Sequence, residues 1–152
     1  MKILDSLQEG AIIAELSATD KKGVLEELTA PIAEATGVSH EEMVRVLLER
    51  EHLGSTGVGG GIAIPHGKSK SLQSLLMGFG RSLKGVDFEA MDGKPAHLFF
   101  LLLASEDSTG AHLKMLARIS GLLKNSVFKE RLMNAADWRE LYSVIEKEDR
   151  EF

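Results

Sequence analysis

The chain has 152 residues, 43% hydrophobic and 27% charged, a balance that fits one soluble domain with a real core. Its net charge of −5 argues against a nucleic-acid binder, which needs a basic face to neutralise phosphates. With no cysteine there is neither a disulfide framework nor a thiolate nucleophile, which is compatible with a reducing compartment.

The first ten residues lack the apolar run of a secretory signal. The most apolar stretch, residues 98–104, is far shorter than the roughly 20 residues that cross a bilayer. The expectation is a cytoplasmic protein with no direct membrane insertion. Residues 11–16 read as a short early strand. Residues 17–20 read as a cap before Val24, Leu25, Leu28 and Ile32 at helical spacing. Pro31 complicates that helix, and Gly37 is placed to end it. Ser39, followed by Glu41 and Glu42, caps a second helix with Met43, Val46 and Leu47 on its apolar face.

A glycine-rich segment, residues 54–61, leads into residues 62–67, a strand-like piece interrupted at Pro65. Residues 75–79 and 96–104 read as strands, the second apolar enough to be central and covered on both faces, with Asp92 and Gly93 turning the chain between them. Helical patterns follow at 110–124, 127–133 and 138–148. This interleaving predicts an α/β fold, helices packed on a sheet, in a single domain spanning 1–152.

The chemistry concentrates in residues 54–69. Gly57, Gly59, Gly60 and Gly61 permit backbone shapes that other residues resist, and they leave amide N–H groups open to a ligand. Pro65 fixes the backbone before His66 and Gly67 frees it after, so the histidine is either presented at a surface or incidental to a tight turn. Gly67-Lys68-Ser69 resembles the end of a phosphate-binding P-loop. The glycine required five positions before Gly67 is Ile62, however, and Pro65 has no N–H to offer a phosphate. The G-x-G-x-x-G pattern fails as well, ending on Ile62 or Ile64.

His112 lies one turn before Met115, Leu116, Ile119, Leu122 and Leu123, on the same stripe, so it faces the sheet. It also sits in a helix's first turn, where the dipole disfavours imidazolium and attracts anions. It is either a phosphate-facing group or a satisfied core histidine. Arg50 continues the stripe of Met43, Val46 and Leu47 and comes just before the glycine-rich loop, with an ordinary salt bridge as its alternative. Arginine suits bidentate phosphate recognition. His40 is expected to be exposed among acids. His52 and His97 have no companions at metal-ligand spacing, and no serine-hydrolase elbow is present.

The run from Leu47 to Lys68, LLEREHLGSTGVGGGIAIPHGK, resembles the phosphorylation-site region of the IIA proteins of the phosphoenolpyruvate-dependent phosphotransferase system. The branch is the fructose/mannitol type, which includes the nitrogen-regulatory IIA proteins. VDFEAMDGKP from Val86 and AHLKMLA from Ala111 extend the likeness over nearly the whole chain. The resemblance implies a mixed sheet flanked by helices on both faces. It implies that His66 accepts phosphate from the phosphohistidine of HPr or a nitrogen-type HPr, with His112 and Arg50 as its active-site companions. A IIB domain or a regulatory target protein is the implied acceptor or binder, and neither cofactor nor metal is called for. Amides of Gly59, Gly60 and Gly61 and the hydroxyls of Ser55 and Thr56 are further expected phosphate contacts, and an apolar docking patch is expected around His66. The family commonly carries Asn where this chain has Gly60, which puts loop rigidity in doubt more than function. The L-G-S-T-G and P-H-G-K wording and the absence of a fused transport domain favour a phosphorylation-dependent regulator over a sugar-transport component.

Overall fold

The computed structural model describes residues 1–152 as a single mixed α/β domain. After a 3₁₀ turn at Ile3–Asp5 come β1 (Leu7–Ile13), α1 (Lys21–Thr36), α2 (His40–His52), β2 (Gly57–Gly59), β3 (Ile62–Ala63) and β4 (His66–Ser69). The chain continues through β5 (Leu76–Val86), β6 (Ala96–Ser105), α3 (Thr109–Leu122), α4 (Ser126–Asn134) and α5 (Trp138–Glu151).

Local chemistry sets most of these limits. The Asp20 carboxylate accepts the Gly23 N–H and starts α1, and Gly37, at φ +75°, closes it in the left-handed conformation. Ser39, Asn125 and Asp137 cap α2, α4 and α5 in the same manner. Pro31 does not interrupt α1, which runs straight through it while Leu28 and Ile32 on either side stay in the core. His40 is also not a free surface group. Its Nε2 sits 2.8 Å from both the Glu26 carbonyl and the Thr29 hydroxyl, joining α2 to α1.

The sheet has six strands in the order β1-β5-β6-β3-β2, with β4 also pairing β6. β5 and β6 are antiparallel, while β1 runs parallel to β5, and β3 and β4 run parallel to β6. Strand β6 is the spine: residues 98–104 are all buried, as a central strand covered on both faces requires. Side chains on a strand alternate between faces, which assigns the helices to layers. Gly78 and Gly80 approach Ile32 and Leu28 of α1, whereas Arg81, of opposite parity, reaches carbonyls of Leu132 and Ala135 at the end of α4. Helices therefore cover both faces.

Two strands depart from the sequence reading. β1 begins four residues earlier than expected, at Leu7. β5 extends to Val86 instead of ending at Phe79. Its continuation contains Arg81, only 3% exposed, whose guanidinium is spent on the carbonyls of Ala14, Leu132 and Ala135 at 3.0, 2.9 and 2.7 Å.

Candidate active site

The segments around Pro65 form one line of chain. Ile62 pairs Leu98, Ala63 pairs Phe99, His66 pairs Leu102 and Gly67 pairs Leu103, a constant offset along β6. His66 is thus fixed at the start of a strand, not on a turn. Gly67 is needed for space, since a Cβ there would lie 2.6 Å from Cγ1 of Val46. Its role is to let α2 press against β4, and this corrects the expectation that it frees the backbone. Because Gly67 faces α2, His66 points to the opposite face, where α3 lies.

His66 is half-buried, and its Nδ1 lies 2.8 Å from the Ile64 carbonyl oxygen. A carbonyl only accepts, so Nδ1 carries the proton and Nε2 keeps its lone pair. Burial lowers the pKa of His66 from its ordinary value, and the Arg50 cation adds to that effect against the opposing Ile64 hydrogen bond. The ring is neutral, with the lone pair on Nε2 left unshared.

His112 stands across from it. The two ring centroids are 5.4 Å apart with the planes at 64°. His112 is 4% exposed, and its Nδ1 is buried without a hydrogen-bond partner. A buried polar atom with no protein partner is uncommon in a folded core, which weighs against a satisfied core histidine. Burial, reinforced by the charges of His66 and Lys68, pulls its pKa down to about 4. It is a neutral imidazole at the first turn of α3.

Arg50 reaches the same cleft from the last turn of α2, its Nη1 donating to the Gly54 carbonyl at 2.8 Å. No carboxylate lies within ion-pair distance of it. The adjacent Glu51 pairs with Lys21 instead, so the salt-bridge alternative for Arg50 fails. The cleft is also lined by Lys68, Leu53, Leu113 and Leu116. Sequence reasoning weighed Lys68 only within a rejected P-loop reading, although its position two residues after His66 on a strand already put both on one face. Its Nζ is held by the Thr109 hydroxyl at 3.0 Å. The expected apolar patch is present: Leu53 is 85% and Leu113 60% exposed at the cleft mouth.

The loop residues expected to contact phosphate are elsewhere. Gly61 precedes His66 by five steps on a line running along β6, roughly 16 Å at about 3.3 Å per residue. The Gly60 N–H donates to the Asp92 carboxylate at 3.0 Å, and Gly59 pairs within the β2–β3 hairpin. Gly59, Gly60 and Gly61 have φ of +92°, +65° and +82°, so these glycines turn a hairpin. The Ser55 hydroxyl donates to the Phe88 carbonyl at 2.5 Å, and the buried Thr56 hydroxyl donates to Glu51. Neither side chain lines the cleft.

Comparison with known proteins places this geometry among relatives. Residues 5–148 match the family model described as phosphoenolpyruvate-dependent sugar phosphotransferase system, EIIA 2. A nitrogen regulatory protein of Bradyrhizobium diazoefficiens is 44% identical over 145 residues, covering 95% of each chain. The fructose-specific EIIABC component of Bacillus subtilis is 34% identical, covering 99% of this chain and 24% of that larger protein. Among solved structures, the nitrogen regulatory protein IIA-Ntr of Neisseria meningitidis superposes with a TM-score of 0.87 at 33% identity, covering 93% of this chain and 97% of that one.

Proposed function

Since this chain belongs to the EIIA 2 family of the phosphoenolpyruvate-dependent sugar phosphotransferase system, we propose that it carries a phosphoryl group on Nε2 of His66. The observation that carries the reading is the Nδ1–Ile64 hydrogen bond, which leaves Nε2 as the nucleophilic nitrogen within the cleft. Nε2 attacks the phosphorus of a donor phosphohistidine in line. The donor's N–P bond breaks as the new one forms, and the donor ring leaves with the bonding pair. Handing the group on reverses these roles.

Such transfer needs positioning and charge stabilisation more than covalent help. Arg50 and Lys68 bring two cations to the phosphoryl oxygens, and neutral His112 offers a hydrogen bond without adding a third charge to the cleft. HPr or a nitrogen-type HPr is the donor, docking on Leu53, Leu113 and Leu116.

The acceptor side is regulatory in this reading. The phosphorylated and free forms differ by close to two negative charges at the cleft, enough to reverse a docking preference. Its support is the 44% identity over nearly the full length of a nitrogen regulatory protein. Transfer to a IIB domain is the second reading, supported by the fructose-specific relative.

The experiment is intact-mass measurement after incubation with phosphoenolpyruvate, enzyme I and either HPr. An acid-labile phosphoryl adduct is expected in the native chain and absent in His66→Ala, which folds normally. Full labelling of that variant would sink the assignment, and the preferred HPr reports the branch.

A further inference from the structure

Glu51 is a carboxylate 8% exposed at the C-terminal end of α2, where the helix dipole disfavours negative charge. A carboxylate placed there needs close partners to offset its lost hydration. Lys21 Nζ lies 2.9 Å from Oε1, the Thr56 N–H donates to the same oxygen at 3.2 Å, and the Thr56 hydroxyl donates to Oε2. Lys21 is itself fixed, over the Phe88 ring at 4.9 Å and beside Glu89 at 3.2 Å.

From Thr56 the connections run in two directions. Its carbonyl accepts the Ile64 N–H at 3.0 Å, and the Ile64 carbonyl accepts His66 Nδ1 at 2.8 Å. Back along the chain, the Gly54 carbonyl takes Arg50 Nη1 at 2.8 Å, and the Gly54 N–H returns to the Glu51 carbonyl at 3.0 Å. Gly54 sits at φ +146°, and Leu53 is 85% exposed. Apolar packing therefore does not hold the turn between α2 and β2. Polar anchors do, and Glu51–Thr56 is the buried one.

We propose that Glu51, with Thr56 as its relay, is a positioning residue that seats both His66 and Arg50 without touching the phosphoryl group. The inference rests on His66 being the carrier. It gives Thr56 a role different from phosphate binding, and it explains a buried acid beside an active-site cation that ignores it.

The test compares Thr56→Val, Thr56→Ser and Glu51→Gln, with circular dichroism melts showing that each is folded. Thr56→Val should slow phosphoryl uptake from saturating donor by about 10- to 100-fold, the usual cost of misplacing a reacting group by an ångström, while Thr56→Ser restores it. The ¹⁵N spectrum of the His66 ring should change from a dominant Nδ1–H tautomer to a mixture in Thr56→Val. Glu51→Gln should move the acid limb of the uptake profile to lower pH, because the carboxylate favours the His66 imidazolium. The other charged or titratable groups facing that ring are Glu49, Arg50, Lys68 and His112, and all are retained in the variant. A folded Thr56→Val with the native tautomer overturns the proposal. Should that variant not fold, Glu51→Gln decides on the same spectrum and pH profile. The tautomer is read without a donor, so a native chain that takes up no phosphate would overturn the carrier assignment and leave this answer distinct.

Discussion

His66 and His112 meet edge to plane at 5.4 Å, one with a part-buried Nδ1 hydrogen-bonded to Ile64 and the other with a buried Nδ1 that has no partner. Two imidazoles at that distance cannot both be charged imidazolium cheaply beside Arg50 and Lys68. The pair is held in its neutral form.

Stability should therefore fall on acidification earlier than carboxylate titration alone would cause. His112 ionises near 6.5 when unfolded but at about 4 when folded, so the unfolded chain binds more protons between those values. Above 6.5 the group contributes nothing to the pH dependence; below it, stability declines, levelling off beneath about 4. The full effect is on the order of 3 kcal/mol. Urea unfolding at pH 7.5, 5.5 and 4 should show a loss in the native chain that is reduced in His112→Asn.

Phosphoryl uptake should persist at mildly acidic pH. The lowered pKa of His66 keeps Nε2 unprotonated below the usual histidine range, so the acid limb of the rate profile should fall below 6.5. A limb at or above the unperturbed value would show that burial does not control the nucleophile.

Removing Arg50 should have two separable consequences. Arg50→Ala should slow uptake by about 100-fold, the scale for loss of one charge-stabilising donor. It should also raise the His66 pKa, since the guanidinium disfavours imidazolium there. Proton NMR titration of the ring reads the second effect without any donor.

Gly67→Ala should destabilise the fold by about 1–3 kcal/mol through overpacking against Val46. Combining it with Val46→Ala should recover part of that loss, and urea denaturation of the four proteins gives the coupling. Additive losses would mean that the contact does not decide the residue.

Leu53→Ser and Leu113→Ser should leave stability within about 0.5 kcal/mol, as both side chains are largely in solvent. Each should raise the KM for the donor carrier roughly tenfold, with kcat nearly unchanged, if these side chains anchor the docked partner. Steady-state phosphotransfer separates the two parameters.

Much of this site was readable because its residues obey regular periods. Arg50 and His112 each extend an apolar helical stripe, and a polar residue on such a stripe is either an error or a site. The tautomer of His66 was not readable, as it depends on a carbonyl two residues away whose direction the tertiary fold sets. The glycine run misled for a related reason. Positive φ is common to anion-binding loops and hairpin turns, and the acceptor that distinguishes them, Asp92, lies 32 residues further on. In the fold, Arg81 hid the second half of β5 because a guanidinium looks like a surface group until the carbonyls that take its protons are in place. Thr56 looked like a phosphate ligand for the same reason.

The unbroken register of β3 and β4 along β6 has a bearing on the proposed carrier and regulatory role. On the proposed reading, the atom that takes the phosphoryl group belongs to a strand hydrogen-bonded along the central β6, with Pro65 stiffening the preceding link. Such a backbone has little room to answer a new charge by moving, unlike a loop that orders or melts. On that reading, phosphorylation would be expressed as electrostatics at a stationary point. A partner that tells the two forms apart must, on that reading, lay its own surface over the cleft, so donor and target would compete for it.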